Sequence, residues 1–133
     1  MRKEQLKRLI YPQNQGFIVI ILLSLTLFSC DRNIDIPDFD SSGWKKDFEA
    51  CTDLRLNSAP LIVSQQEKLI GKHENTVVQF LGHPNRLDLG KKMTRTAYYT
   101  LINKNCKKGE AQKVMVIDYN SLSQVRMIVI QNP

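Results

Sequence analysis

The chain changes character once, and abruptly, near its amino end. Residues 1–16 are polar and basic, with Arg2, Lys3, Lys7 and Arg8 set against Glu4 alone, and residues 17–28 are then apolar apart from Ser24 and Thr26. A basic stretch running into a short apolar one is the pattern of a secretion signal. A membrane-spanning anchor needs more length. The twelve apolar residues rise only about 18 Å as a helix, against a hydrocarbon core about 30 Å thick. Whatever folds therefore lies downstream of this stretch.

The apolar run ends in Leu27-Phe28-Ser29-Cys30. These four residues resemble the lipobox of bacterial lipoprotein signals: an aliphatic residue three before a cysteine and a small one just before it. Each part has a chemical task. The small side chain of Ser29 lets a peptidase close on the scissile bond, and the Cys30 thiol accepts the diacylglyceryl group before cleavage. Phe28 is bulkier than the residue usual at its position. The resemblance implies that residues 1–29 are a cleaved signal peptide and that Cys30 becomes the lipid-bearing first residue. More than one palmitoyl-type chain on Cys30 would anchor the protein stably to a membrane, where a single chain would not. Removing the leader takes four basic residues and one acidic residue from the 19 and 13 of the whole chain, leaving fifteen against twelve and a formal charge of +3. That small excess reads as a solvated surface, and nucleic acid is not an expected partner.

Residues 30–43 hold Asp31, Asp35, Asp38, Asp40, Pro37, Ser41, Ser42 and Gly43, the composition of a flexible tether. From residue 44 the pattern is helical: Trp44, Phe48 and Cys51 share one face of a 3.6-residue repeat, with Ser41 or Ser42 as the cap. Ser58 and Pro60 look like a second helix start, with Leu61, Ile62, Leu69 and Ile70 as its apolar side and Gly71 as its stop. A short helix over 74–81 follows, ended by Gly82 with Pro84 two residues on. Three β-rich runs complete the chain, at 94–102, 114–119 and 124–130. The lysine-rich link 103–112 separates the first two, and Asn120-Ser121-Leu122-Ser123 joins the last two. Helices followed by strands predict an α+β fold: a two-layer sandwich with N-terminal helices on a three-stranded antiparallel meander over residues 44–133. Both faces of the last two strands carry apolar residues, which reads first as core packing and second as a sheet face able to bind something.

With Cys30 committed to lipid, Cys51 and Cys106 are left as an even pair in an exported chain, the setting in which a disulfide is expected. Neither lies in a Cys-x-x-Cys motif, so the bridge reads as structural. The search for catalytic chemistry returns little. His73 and His83 flank a short helix without metal-ligand spacing, so no metal or other cofactor is expected. Ser41-Ser42-Gly43 makes no nucleophile elbow, and Glu67 and Glu74 fall on different elements. An enzyme is not expected. Tyr98 and Tyr99 are adjacent on a strand and point to opposite faces; they are the candidate partner-facing residues.

The segment Leu69-Ile70-Gly71-Lys72-His73-Glu74-Asn75-Thr76-Val77-Val78-Gln79-Phe80-Leu81-Gly82-His83-Pro84 resembles the signature helix of small outer-membrane lipoproteins of the BamE (SmpA/OmlA) type. Tyr98-Tyr99-Thr100-Leu101 matches that family's aromatic strand run, and 114–119 with 125–130 its closing strand pair. His73 stands where the family has a capping Ser or Thr, and the family does not generally carry the Cys51/Cys106 pair. The resemblance implies a lipid-anchored, non-enzymatic protein-binding or scaffold module. Its setting would be the cell envelope of a Gram-negative bacterium, in outer-membrane assembly or maintenance with an envelope protein as partner. Asp31, directly after the lipid site, favours inner-membrane retention under the sorting rule of some such bacteria. The second reading is a lipoprotein that binds a small ligand or inhibits an enzyme.

Overall fold

A computed structural model describes residues 33–133; the expected leader and Cys30 lie outside the described residues. Three helices come first, α1 (Ser41–Lys46), α2 (Leu54–Ser64) and α3 (Glu74–Leu81). Four strands follow, β1 (Arg86–Leu89), β2 (Arg95–Ile102), β3 (Lys113–Tyr119) and β4 (Val125–Gln131), in one antiparallel sheet of order β1-β2-β3-β4. The fold is α+β, with one strand more than the sequence reading. The added strand, β1, is only four residues long, half charged and exposed throughout, so it carries almost no apolar periodicity. Its pairing makes it a strand: Arg86 lies opposite Tyr98, and Leu89 opposite Arg95.

Side-chain caps decide where the helices start. Asp40 caps α1, its Oδ1 accepting the Gly43 N–H at 2.9 Å. Ser41, one of the two expected caps, instead donates its hydroxyl to the Phe80 carbonyl at 2.6 Å. Lys45 Nζ donates to the Gln79 carbonyl at 2.7 Å. Both acceptors belong to the last turn of α3, whose carbonyls have no partners inside their own helix and favour a cation nearby. The helix stops at Lys46, so the expected shared face of Trp44, Phe48 and Cys51 does not form. The cause is Asp47. Its carboxylate turns forward to accept the N–H of Thr52 at 3.1 Å and of Arg55 at 3.2 Å. It thereby caps α2, since Asp53 at the formal cap position makes no such bond. Helix α2 accordingly begins at Leu54, ahead of the expected start at Ser58 and Pro60, and takes Pro60 into its interior at the cost of one backbone hydrogen bond. Helix α3 falls where the sequence places it. His73 Nδ1 accepts the Asn75 N–H at 3.2 Å as the cap of the helix, and Gly82 closes it at φ +78°.

The described part of the expected tether is docked. Ile36 is 4 % exposed and belongs to the core, with Ile34 and Phe39 packed against it. The Phe39 ring lies 4.9 Å from that of Phe80 and 5.8 Å from that of Trp44. Three apolar residues among the acids and serines are enough to fasten the segment to the helical layer, because each apolar side chain removed from water stabilises by about 1.5–3 kcal/mol.

The inner face of the sheet brings Tyr99, Met115, Ile117 and Ile128 against Trp44, Ile62, Leu69 and Val77 of the helical side, all within one buried cluster. Strand β3 is central and buried on both faces, through Val114 and Val116 as well as Met115 and Ile117. The chain ahead of α3 closes the start of β4: Gly71 N–H donates to Val125, and Val125 N–H to Lys72, each at 2.9 Å. Tyr99 is fully buried and donates its hydroxyl to the Gly82 carbonyl at 3.0 Å, tying β2 to the end of α3.

Burial pushes the Tyr99 and Tyr119 phenols well above the ordinary tyrosine value; the Arg55 charge partly offsets this at Tyr99, and Tyr99 and Glu74 add to it at Tyr119. A folded-state value raised above that of the unfolded chain means that the folded form holds its protons longer. The associated stability is complete below about pH 10 and is lost as the pH rises beyond it. Melting curves followed by circular dichroism should therefore fall above about pH 10. Tyr99→Phe should cost about 1 kcal/mol at neutral pH and make the alkaline decline shallower.

Candidate functional site

Two features of the sequence reading are carried by β2, one just beyond its carboxyl end and one at its middle. The first is the cysteine pair. Cys51 and Cys106 are joined in a disulfide, their Cα atoms 5.3 Å apart across a sequence separation of 55. Cys51 lies in the loop between α1 and α2 rather than on the first helix, because α1 has already ended. The bridge belongs to a wider clasp between that loop and the β2–β3 connection. Asn103 donates its side-chain amide to the Glu49 carbonyl at 3.0 Å and its backbone N–H to Ala50 at 3.3 Å. Lys107 forms an ion pair with Asp53.

Beneath the clasp lies a residue that the sequence reading passed over. Arg55, on the first turn of α2, is 1 % exposed. Its Nε donates to the Trp44 carbonyl at 3.0 Å and its Nη1 to Asn85 Oδ1 at 2.8 Å, with the Phe48 carbonyl at 3.4 Å. The guanidinium carbon sits 5.1 Å from the centre of the Trp44 ring and 5.5 Å from that of Phe48. Asn85 completes the unit, accepting the Thr100 N–H at 2.9 Å and donating to the Phe48 carbonyl at 2.8 Å. Burial pulls the guanidinium below its ordinary value, opposed by Asp47, Tyr99 and Glu49, and an arginine stays charged at neutral pH regardless. The only sequence signal was one charge between Leu54 and Leu56.

The second feature is the tyrosine pair. Tyr99 points inward and is enclosed, so it offers nothing to a partner. Tyr98 faces outward and is half-buried, in a row with Val116 on β3 and Val129 on β4. The Arg86 guanidinium on β1 lies 3.9 Å from the Tyr98 ring centre and 3.1 Å from Asp88. Thr96 donates to Asp118 at 2.8 Å lower on the same face, and Met127 is 42 % exposed opposite Asp118. Tyrosine, arginine and methionine are residue types enriched at protein interfaces, since they present large contact area with a polar or adaptable end.

His73 caps α3 and forms a β-bridge with Gln124, and His83 is exposed beyond the other end of the helix. Among the described residues no three of His, Cys, Asp and Glu are grouped to hold a metal ion, and no helix is long and apolar enough to cross a membrane. A shallow hollow of about 290 Å³ lies at the β1–β2 turn, lined by Leu89, Gly90, Met93 and Arg95. Compared with protein-family models, curated proteins and solved structures, the chain matches none.

Three outcomes follow from the clasp and its buried charge. Replacing Arg55 by Ala should cost about 3–5 kcal/mol in urea unfolding, because Asp47 loses a buried counter-charge and several buried acceptors lose their donor. The intact mass should rise by two hydrogens on reduction. The Cys51→Ser/Cys106→Ser protein should be about 2–4 kcal/mol less stable, consistent with closing a loop of 55 residues.

Proposed function

We propose that this chain is a lipid-anchored, non-enzymatic protein of a Gram-negative cell envelope, a module that binds another envelope protein through the outer face of its sheet. The observation that carries the reading is Leu27-Phe28-Ser29-Cys30 directly after a basic and then an apolar stretch. Acylation of Cys30 would make the membrane itself the first partner. The sheet face supports the second half of the reading: Tyr98, Arg86 and Met127 place an aromatic, a cation and a thioether on one surface. A role in outer-membrane assembly or maintenance is supported by the similarity of residues 69–84 to the helix of BamE-type lipoproteins. A small-ligand or inhibitory lipoprotein is the competing class.

Intact mass of the protein recovered from membranes tests the first half. Loss of residues 1–29 and a gain matching two or three acyl chains on Cys30 are expected, and an unmodified thiol with the leader retained overturns it. For the second half, the partner captured from membranes by the lipidated protein should be lost with Tyr98→Ala or Arg86→Glu. Each should cost about 2 kcal/mol, or roughly 30-fold in affinity, if these residues are anchors. Unchanged capture by both variants overturns the assignment of this face.

A further inference from the structure

In a meander the β1–β2 and β3–β4 turns emerge at the same end of the sheet. Here Leu89 pairs with Arg95, Arg95 with Tyr119, and Tyr119 with Val125, so both turns and the start of β4 share that end. Residues 71–74 cross it as well, through the Gly71 and Lys72 bonds to Val125 and the Glu74 N–H bond to the Ser123 carbonyl at 2.8 Å. The surface of this end is unusual for one that meets only water. Leu89 is 77 % exposed, Met93 78 %, Leu122 70 % and Ile70 42 %. Apolar side chains scattered singly need no explanation, but four gathered on neighbouring turns do.

The same turns carry cations. Lys91 and Lys92 are exposed and form no ion pair among the described residues, while Lys68 and Lys72 flank Ile70. Of the acids nearby, Glu74 is paired with Arg95 and Asp88 with Arg86, and Asp35 and Glu67 remain. Lys92 and Met93 also hold positive φ, 55° and 62°, a conformation that costs a residue with a side chain. Finally, the first described residues are bonded close to this end. The Asp35 carbonyl accepts Lys68 Nζ at 2.8 Å, three residues before Gly71. Cys30 precedes Asn33 by three residues, a reach of only about 10 Å.

We infer that the turn end of the sheet, with Leu89, Met93 and Leu122 as apolar contacts and Lys91 and Lys92 as cations, docks on an anionic bilayer surface. The inference rests on the lipid-anchor reading, which supplies the tether. Apolar tips would enter the headgroup layer while the lysines meet anionic lipid, the combination by which interfacial segments bind. The clasp end would then point away from the membrane, with the Tyr98 face at its flank.

The test uses the full-chain protein in vesicles of phosphatidylcholine with or without phosphatidylglycerol, the lipids brominated along their acyl chains. Trp44 is buried and is the one native tryptophan, so Met93→Trp and Leu122→Trp report the turn end, and Lys108→Trp reports the exposed opposite loop. Expected are quenching of the first two several-fold above the third, and a roughly fivefold fall in the docked-to-free ratio for each of Lys91→Gln and Lys92→Gln in phosphatidylglycerol vesicles. Equal quenching at both ends overturns the inference. So does shielding of the turn reporters without lipid at a doubled mass, which would mean that a second copy covers this end. Intact mass of the same sample reads acylation of Cys30 separately, so loss of the anchor reading and loss of the docking surface are told apart.

Discussion

The guanidinium of Arg55 holds the two layers of this small domain in register. Its donors reach the Trp44 carbonyl of α1 and the side-chain oxygen of Asn85 in the link into β1, and that same oxygen accepts the Thr100 N–H of β2. Taking such a charge out of water costs several kcal/mol, and only good geometry with satisfied donors offsets it. The offset here has two parts. Carbonyl oxygens meet the N–H groups at the rim of the planar cation, and the Trp44 and Phe48 rings meet it from the side. Asp47 supplies the counter-charge while spending both its oxygens on backbone N–H groups of the α2 start. One carboxylate therefore sets where a helix begins and keeps the buried cation tolerable. An apolar residue at position 55 would take the guanidinium donor from the Trp44 carbonyl and leave the Asn85 oxygen with the Thr100 N–H alone, so the polar unit depends on the cation at its centre.

Around that unit the fold divides labour between its two ends. At one end the disulfide, Asn103 and Lys107 fasten the α1–α2 loop to the β2–β3 connection. At the other, the Gly71 and Lys72 backbone closes the start of β4, and the hairpin turns carry their apolar side chains outward. A meander makes this polarity unavoidable, since alternate turns must emerge on alternate ends. Both sets of turns carry lysine and asparagine, but the cysteines fall at one end and the exposed Leu89, Met93 and Leu122 at the other.

Much of the architecture was legible in the residues. The three long strands and helix α3 declared themselves through β-branched and aromatic runs and through the Gly82–Pro84 stop, and the cysteine pair through parity. The misplaced helix starts have one cause. Asp40 and Asp47 cap from positions at which Ser41, Ser42 and Ser58 looked equally suitable, and only tertiary contacts choose between them. Strand β1 was missed because an exposed, half-charged edge strand is defined by its neighbour rather than by its own pattern. The tether was misread because composition averages over residues, and three apolar side chains among acids are diluted in the average yet dock one by one. At the candidate site, sequence placed Tyr98 and Tyr99 on opposite faces but not which one faced the core; packing against α3 decided that for Tyr99. Arg55 was illegible for a different reason. A lone charge at a helix start is usually solvated, and nothing local records that Trp44, Phe48 and Asn85 converge on it.

The covalent link between positions 51 and 106 also governs how the domain responds to tension. A pull applied between the amino end and the carboxyl end runs along the chain to residue 51, crosses the sulfur bridge and continues from residue 106. Helices α2 and α3 and strands β1 and β2 lie inside the bypassed segment and carry none of that load. Roughly 190 Å of contour thus stays unavailable for extension while the bond is intact, and only the chain ahead of residue 51 and the chain after residue 106, with its last two strands, can be drawn out.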